Sequence, residues 1–229
     1  MIETLGDFLR NNAHKFPDET AYLYEGETVT FARQFERGNR LASALWAHGI
    51  RKQDRVSILA QNTLEFMECY SACELSGFIA ATVNWRLAAP EIEWILGDST
   101  PRVLVFEAQY AETIAKIRDR LGFIELFLCF GGEVPEWAED YHAFRDGGDP
   151  AGAPSRPVPA DIMHLIYTSG TTGRPKGTIR THRSEIATGI LMATELGLIV
   201  SDRLQLMMPI FHVGARFLQM AVHMRGGSV

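Results

Sequence analysis

The chain has 229 residues, 46% of them hydrophobic and 22% charged, a balance that supports a sizeable core and excludes a disordered chain. Its formal net charge is −6, and no block of Lys and Arg stands out, which argues against nucleic acid as the main partner. Cys69, Cys73 and Cys129 are too few, and odd in number, for a disulfide framework.

Cys69 and Cys73 fall four apart on an expected helix and share a face. They read as small buried apolar residues rather than a metal pair. The opening "MIETLGDFLRNNAHKFPDET" has no basic segment leading into an apolar one, so it is no signal peptide. No stretch approaches the roughly 18 uncharged apolar residues of a membrane span. These features place the chain in a reducing cytoplasm.

In chain order, "TLGDFLRNNAHKF" carries Leu5, Phe8, Leu9, Ala13 and Phe16 at helical spacing, ended by Pro17. "TAYLYEGETVTFA" reads as a hairpin around "EGE". "ARQFERGNRLASALWAHGI" is an amphipathic helix with Gly49 as its C′ residue. "DRVSILA" has strand length. "NTLEFMECYSACELSGF" is a helix with Asn62 as N-cap, and "IAATVN" a strand. "APEIEWILGDS" is a helix with Pro90 in its first turn. "RVLVF" is a strand, "YAETIAKIRDRLG" a helix and "ELFLCF" a strand. This alternation implies βαβ units and a mainly parallel sheet. Residues 145–160 form a Gly- and Pro-rich loop. "DIMHLIYTSG" is a strand, "THRSEIATGILMATELGL" a helix, "RLQLMMPI" a strand and "FLQMAVHMRGG" a helix. "GGSV" then reads as a turn entering a further strand, so the chain is expected to be a piece of a longer protein.

The stretch "YTSGTTGRPKGT" is the chemical centre of the sequence. Glycines 170, 173 and 177 permit positive φ and close backbone approach to a ligand. Successive N–H groups in such a turn make an anion nest. Thr168, Ser169, Thr171 and Thr172 add hydroxyl donors, and Lys176 adds a point charge suited to phosphate. The loop is not a Walker A motif, because Pro175 stands where the second glycine is required. With few apolar anchors, residues 168–177 are expected to be mobile without nucleotide.

"YTSGTTGRPKG" resembles the signature loop of the adenylate-forming superfamily of AMP-dependent synthetases and ligases: acyl-CoA synthetases, luciferases and peptide-synthetase adenylation domains. "NTLEF" resembles the family's N-x-x-E-F at Asn62, Glu65 and Phe66. "PIFHVGA" resembles its P-x-F-H-x-x-G motif at Pro209, Phe211, His212 and Gly214. Two motifs in the right order make an unrelated phosphate-binding module with a chance loop a poor alternative. The Phe-His pair favours acyl- or aryl-CoA synthetases over peptide-synthetase domains.

The resemblance implies an α/β fold of two β-sheets with helices packed between and around them. It makes residues 1–229 part of an N-terminal adenylation domain, because the family's later Y-G-x-T-E and T-G-D motifs and its C-terminal domain do not occur here. The implied chemistry is ATP-dependent activation of a carboxylic acid as acyl-adenylate, then transfer to a thiol, usually coenzyme A, with Mg2+ on the phosphates. Thr168, Ser169, Gly170, Thr171, Thr172, Gly173 and Lys176 would hold ATP phosphates, with Lys176 and His212 catalytic. His212 and Gly214 would line the acid site. Arg216, four residues after the histidine, would either pair with a second polar group on the acid or form a salt bridge within the protein. His164, His182 and His223 are expected to be structural or on the surface. The partners implied are a small carboxylic acid, ATP, coenzyme A and a second copy of the chain. The alternative is a non-catalytic truncated piece with at most weak phosphate binding.

Overall fold

Threonines start many of the helices. In the computed structural model, which describes residues 2–168 and 175–229, Thr4, Thr30, Thr63 and Thr181 each accept a backbone N–H of the first turn that follows. They cap α1 (Leu5–Lys15), α2 (Phe31–Ala47), α3 (Leu64–Ser76) and α7 (His182–Glu195), satisfying donors that a helix start leaves orphaned. The cap of α3 is therefore Thr63 and not Asn62, whose side chain is engaged elsewhere. At the other end of α3, Gly77 takes φ +81°, the left-handed stop that glycine adopts freely.

Seven strands build the main sheet: β3 (Arg55–Leu59), β4 (Ile79–Thr82), β5 (Val103–Glu107), β6 (Leu126–Phe130), β7 (Glu139–Asp140), β8 (Ile162–Thr168) and β9 (Lys176–Thr181). Their order is β7-β6-β5-β3-β4-β8-β9. Every neighbouring pair is parallel except β8 and β9. The chain leaves β3 towards β4 on one side and returns to β5 on the other. The carboxyl ends of β3, β4, β5, β6 and β8 share one edge, where open parallel sheets bind ligands.

The second sheet is the hairpin β1 (Thr20–Tyr24) and β2 (Glu27–Thr30). Glu25 (φ +49°) and Gly26 (φ +87°) supply its turn, both in the left-handed region that a tight two-residue hairpin requires. Val229 lies alongside β1: its N–H donates to the Ala21 carbonyl at 2.9 Å and its carbonyl accepts from Leu23 at 2.9 Å. Ser228 bridges to Arg203. The strand reading of "GGSV" corresponds to these bonds.

On one face of the main sheet, α4 (Ala89–Ser99) and the short α5 (Ala111–Ala115) close a cluster with Leu59, Leu104 and Phe106. On the other, α1, α2, α3 and α8 (Val213–Met224) fill the space between the sheet and the hairpin. A sixth helix, Tyr141–Asp146, packs beside α2.

Three expectations change. The helix over "YAETIAKIRDRLG" is only Ala111–Ala115, flanked by 3₁₀ turns at Ala108–Tyr110 and Arg118–Arg120. "RLQLMMPI" is not a strand; its one ladder contact is the Arg203 bridge. "KGT", read as the end of the loop, opens the edge strand β9, which runs on through Thr181.

Candidate active site at the carboxyl edge

β8 and β9 bracket the Gly/Thr loop. Thr168 and Lys176 face one another as a register pair. Ser169, Gly170, Thr171, Thr172, Gly173 and Arg174 lie outside the described residues, and the expected mobility of the loop falls there too. Tyr167, next to Thr168, anchors the hairpin: its hydroxyl donates to Asp98 of α4 at 2.6 Å, and its ring meets the Trp94 ring edge-on at 6.1 Å. Burial, with the Asp98 carboxylate beside it, raises the Tyr167 pKa. Gly177 does not need positive φ. It sits in β9 opposite Tyr167, where an added Cβ would come 2.9 Å from Leu165 Cδ1 and 3.3 Å from the Tyr167 ring.

The second motif, residues 209–214, is held by side chains from α3, from the turn before it and from β4. Asn62 Nδ2 donates to the Met208 carbonyl at 2.9 Å, and Asn62 Oδ1 accepts from Ile210 N–H at 2.7 Å. The Tyr70 hydroxyl donates to the Ile210 carbonyl at 3.2 Å. Thr82 Oγ1 donates to the Phe211 carbonyl at 3.2 Å. This segment forms no ladder, so side-chain groups satisfy its backbone. Thr82 ends β4, and β4 pairs with β8. The histidine turn is therefore tied to the end of β4, beside the strand from which the phosphate loop starts.

His212 is exposed and caps α8, its Nδ1 accepting Gly214 N–H at 3.2 Å. A ring nitrogen that accepts carries no proton, so the neutral imidazole has its hydrogen on Nε2. That leaves His212 with an N–H donor to offer an oxygen of a ligand.

Arg216 lies one turn into α8 and is 1% exposed. Its guanidinium is ion-paired with Glu74 of α3, bonded to Gln219, and placed 4.2 Å over the Tyr70 ring. Burial lowers its pKa. Pairing directly with a substrate carboxylate would require it to leave Glu74. Gln219 continues the network to the Tyr22 hydroxyl at 2.9 Å and to His223 at 3.1 Å.

His164, His182 and His223 are all buried. Burial pushes the pKa of His164 down to about 3 and those of His182 and His223 to about 4. All three are neutral scaffold histidines. Cys69, Cys73 and Cys129 are free and buried, with thiol pKa values raised by burial. Among the described residues, no three His, Cys, Asp or Glu side chains gather into a metal site.

The N-x-x-E-F residues divide their work. Asn62 clamps the histidine turn, Glu65 meets His142 at 3.3 Å, and Phe66 is core. Sequence reasoning missed Tyr70, Glu74 and Thr82. The available signal was weak: Tyr70 and Glu74 are two of several polar side chains in a helix buried along most of its length, and Thr82 ends an apolar strand.

Thr168 and Lys176 thus stand as a pair at the carboxyl edge of a parallel sheet, and a clamped histidine turn is tied to the neighbouring strand. Residues 9–229 match the family of AMP-binding enzymes, and the chain belongs to that family. It is 34% identical to the long-chain-fatty-acid–CoA ligase FadD13 of Mycobacterium tuberculosis, over 98% of this chain and 44% of that protein. It is 33% identical to a feruloyl-CoA synthase of an Amycolatopsis species, over 98% of this chain and 43% of that protein. Among solved structures, it superposes on the anthranilate CoA ligase AuaEII in complex with anthranoyl-AMP with a TM-score of 0.94, at 27% identity, covering 98% of this chain and 44% of that one. The inhibitor-bound N-terminal domain of FACL13 from M. tuberculosis gives a TM-score of 0.90 at 31% identity, covering 100% of this chain and 57% of that one. The chain thus spans less than half the length of the curated relatives it matches.

Proposed function

We propose that this chain supplies the phosphate loop and part of the acid site of an acid–thiol ligase that activates a carboxylic acid as its adenylate. The observation that carries this reading is that the Thr168–Lys176 pair ends β8 and β9 while the His212 turn is bonded to the end of the neighbouring β4, at one sheet edge. Thr168, Ser169, Gly170, Thr171, Thr172, Gly173 and Lys176 hold the ATP phosphates, and Lys176 offsets the charge that grows on the departing pyrophosphate. His212 offers its Nε2 hydrogen to a carboxylate or adenylate oxygen, and Gly214 fixes the ring by occupying Nδ1. Mg2+, when bound with ATP, would neutralise phosphate charge.

The acceptor is a thiol, coenzyme A by likeness to the CoA ligases, although ScoC of Streptomyces coeruleorubidus, 33% identical, is a fatty acid–[acyl-carrier-protein] ligase. Among the described residues no helix is long and apolar enough to cross a membrane. We place the reaction in the cytoplasm, on soluble small molecules. A homo-oligomer is compatible with this reading. A second reading, that the 229 residues bind phosphate without turnover, is favoured by the 44% share of the relatives' length.

ATP–pyrophosphate exchange with a panel of fatty and aryl acids separates the two. It is to be measured on the chain and on any longer form of the protein that carries it. Exchange in either form, reduced roughly 10- to 100-fold by Lys176→Met through loss of a charge-assisted bond, supports the ligase. Absence of exchange in every folded form overturns it.

A further inference from the structure

α3 and α8 meet along a line of buried polar groups, with Tyr70 at its centre. The Tyr70 hydroxyl lies 3.2 Å from the Ile210 carbonyl and 2.9 Å from His164 Nε2. A phenol has one proton to give. A carbonyl can only accept, so that proton goes to Ile210, and the His164 Nε2 hydrogen makes the second bond. The bonds then run one way, from β8 through Tyr70 to the backbone two residues ahead of His212. His164 stays neutral, its pKa pushed down to about 3 by burial, which fits a ring that donates one hydrogen and leaves Nδ1 without a partner among the described residues.

The ring of Tyr70 is itself fixed from above. The Arg216 guanidinium sits 4.2 Å over it, and Glu74, one turn along α3, holds that guanidinium in place. Arg216 belongs to the helix that His212 caps, and its backbone N–H donates to the His212 carbonyl at 3.2 Å. The two arms form a closed loop: His212 to Arg216 along α8, Arg216 to Tyr70 across the interface, and Tyr70 back to Ile210. An exposed histidine at a helix start otherwise samples several rotamers, and ordering it on ligand binding carries an entropic penalty. A buried ion pair adds little to stability, and its best-attested use is to specify one arrangement.

We propose that Tyr70 is a positioning residue for His212, clamped by the Arg216–Glu74 pair, and that Arg216 influences acid binding through this clamp rather than by touching the acid. The role in acid binding rests on the assignment of His212 to the acid site; the geometric role does not.

Long-range 1H–15N spectra of the histidine rings, recorded on the 229-residue chain, report the His212 tautomer directly. The wild-type ring should show a protonated Nε2 and an unprotonated Nδ1. Tyr70→Phe keeps the ring beneath Arg216 and removes only the hydroxyl. In that variant the two His212 nitrogen shifts should converge, and exchange of the Gly214 amide should rise about tenfold, with the amides of β3 and β5 unchanged. Unchanged His212 shifts and Gly214 exchange in folded Tyr70→Phe protein overturn the proposal.

Should Tyr70→Phe fail to fold, the double variant Glu74→Met with Arg216→Met decides, because apolar replacement of a buried pair preserves packing. Converged shifts support the clamp and unchanged shifts overturn it. Neither readout requires turnover, so failure of the ligase reading leaves them intact. In a form active in pyrophosphate exchange, Tyr70→Phe should raise the KM for the acid several-fold and leave the KM for ATP unchanged. An unchanged acid KM, or a switch in acid preference caused by Arg216→Met alone, would overturn the functional half.

Discussion

On the face of the main sheet covered by α4 and α5, the buried cluster is Leu59, Val83, Ile92, Leu96, Leu104, Phe106, Ile114 and others of their kind with Cys129, and Tyr110 and Tyr167 pack at its margin. On the opposite face, the same sheet packs on α1, α2, α3 and α8 through Phe66, Val105 and Leu128, but also through buried Glu68, Glu74, Arg145, Arg216, Gln219 and His223. One face is closed by volume and the other by pairing. Volume is satisfied by any well-fitting apolar set. Pairing is satisfied only when every partner is present, because an orphaned buried charge keeps its full desolvation penalty. The histidine turn belongs to the paired face.

Acid should separate the two faces most sharply. His164, His182 and His223 all lie on the paired side, with folded pKa values of about 3, 4 and 4 against 6.5 for the free ring. The unfolded chain therefore binds the extra protons. Stability is complete above about pH 6.5 and falls as pH drops towards 4, by on the order of 3 kcal/mol per histidine. Circular dichroism against pH should show unfolding within that window; a chain unchanged to pH 4 would mean that these rings reach water in the folded state.

Glu74→Ala comes next. It leaves the Arg216 guanidinium buried without its carboxylate and should cost about 3–5 kcal/mol, while the Met pair at the same two sites should stay near wild type. Equal losses in urea unfolding would erase the distinction between the faces. Leu104→Ala should cost roughly 2–5 kcal/mol, yet Leu104→Met under about 1.5 kcal/mol, because that face asks only for volume. Asn62→Ala should cost about 1–3 kcal/mol by stripping partners from Met208 and Ile210. It should also weaken acid binding more than ATP binding in any active form.

The apolar face was largely legible in the sequence, since strands such as "RVLVF" and "ELFLCF" announce themselves by apolar runs of strand length. The paired face was not. Arg216 and Glu74 are 142 residues apart, and no local period links them. β9 escaped notice because it is an edge strand whose large apolar residue, Ile179, is 59% exposed, so it shows no buried face. "RLQLMMPI" alternates like a strand, but past its contact with Ser228 its backbone is met by the Asn62 side chain rather than by a neighbouring strand. Ile114, Ile117 and Leu121 fit one helix or a helix broken by tighter turns equally well, because spacings of three and four serve both. The site motifs were legible as residues. Their clamps were not, because a buried tyrosine or threonine looks like any other core position until its partner is known.

The network around Gln219 and His223 also governs how the chain can fold. Gln219 bonds Tyr22 across 197 residues, His223 reaches the Ala21 carbonyl across 202, and Asn12 bonds the His223 carbonyl across 211. During synthesis the first helix and hairpin emerge long before the helix that completes their hydrogen bonds. Until then the Tyr22 hydroxyl and Asn12 lack these partners and stay hydrated, and the surface they share with apolar neighbours stays open. Contacts this distant slow the search for the native state and lengthen the time that sticky intermediates survive. Helper chaperones acting before α8 emerges should therefore raise the yield of this chain more than any gain in its equilibrium stability.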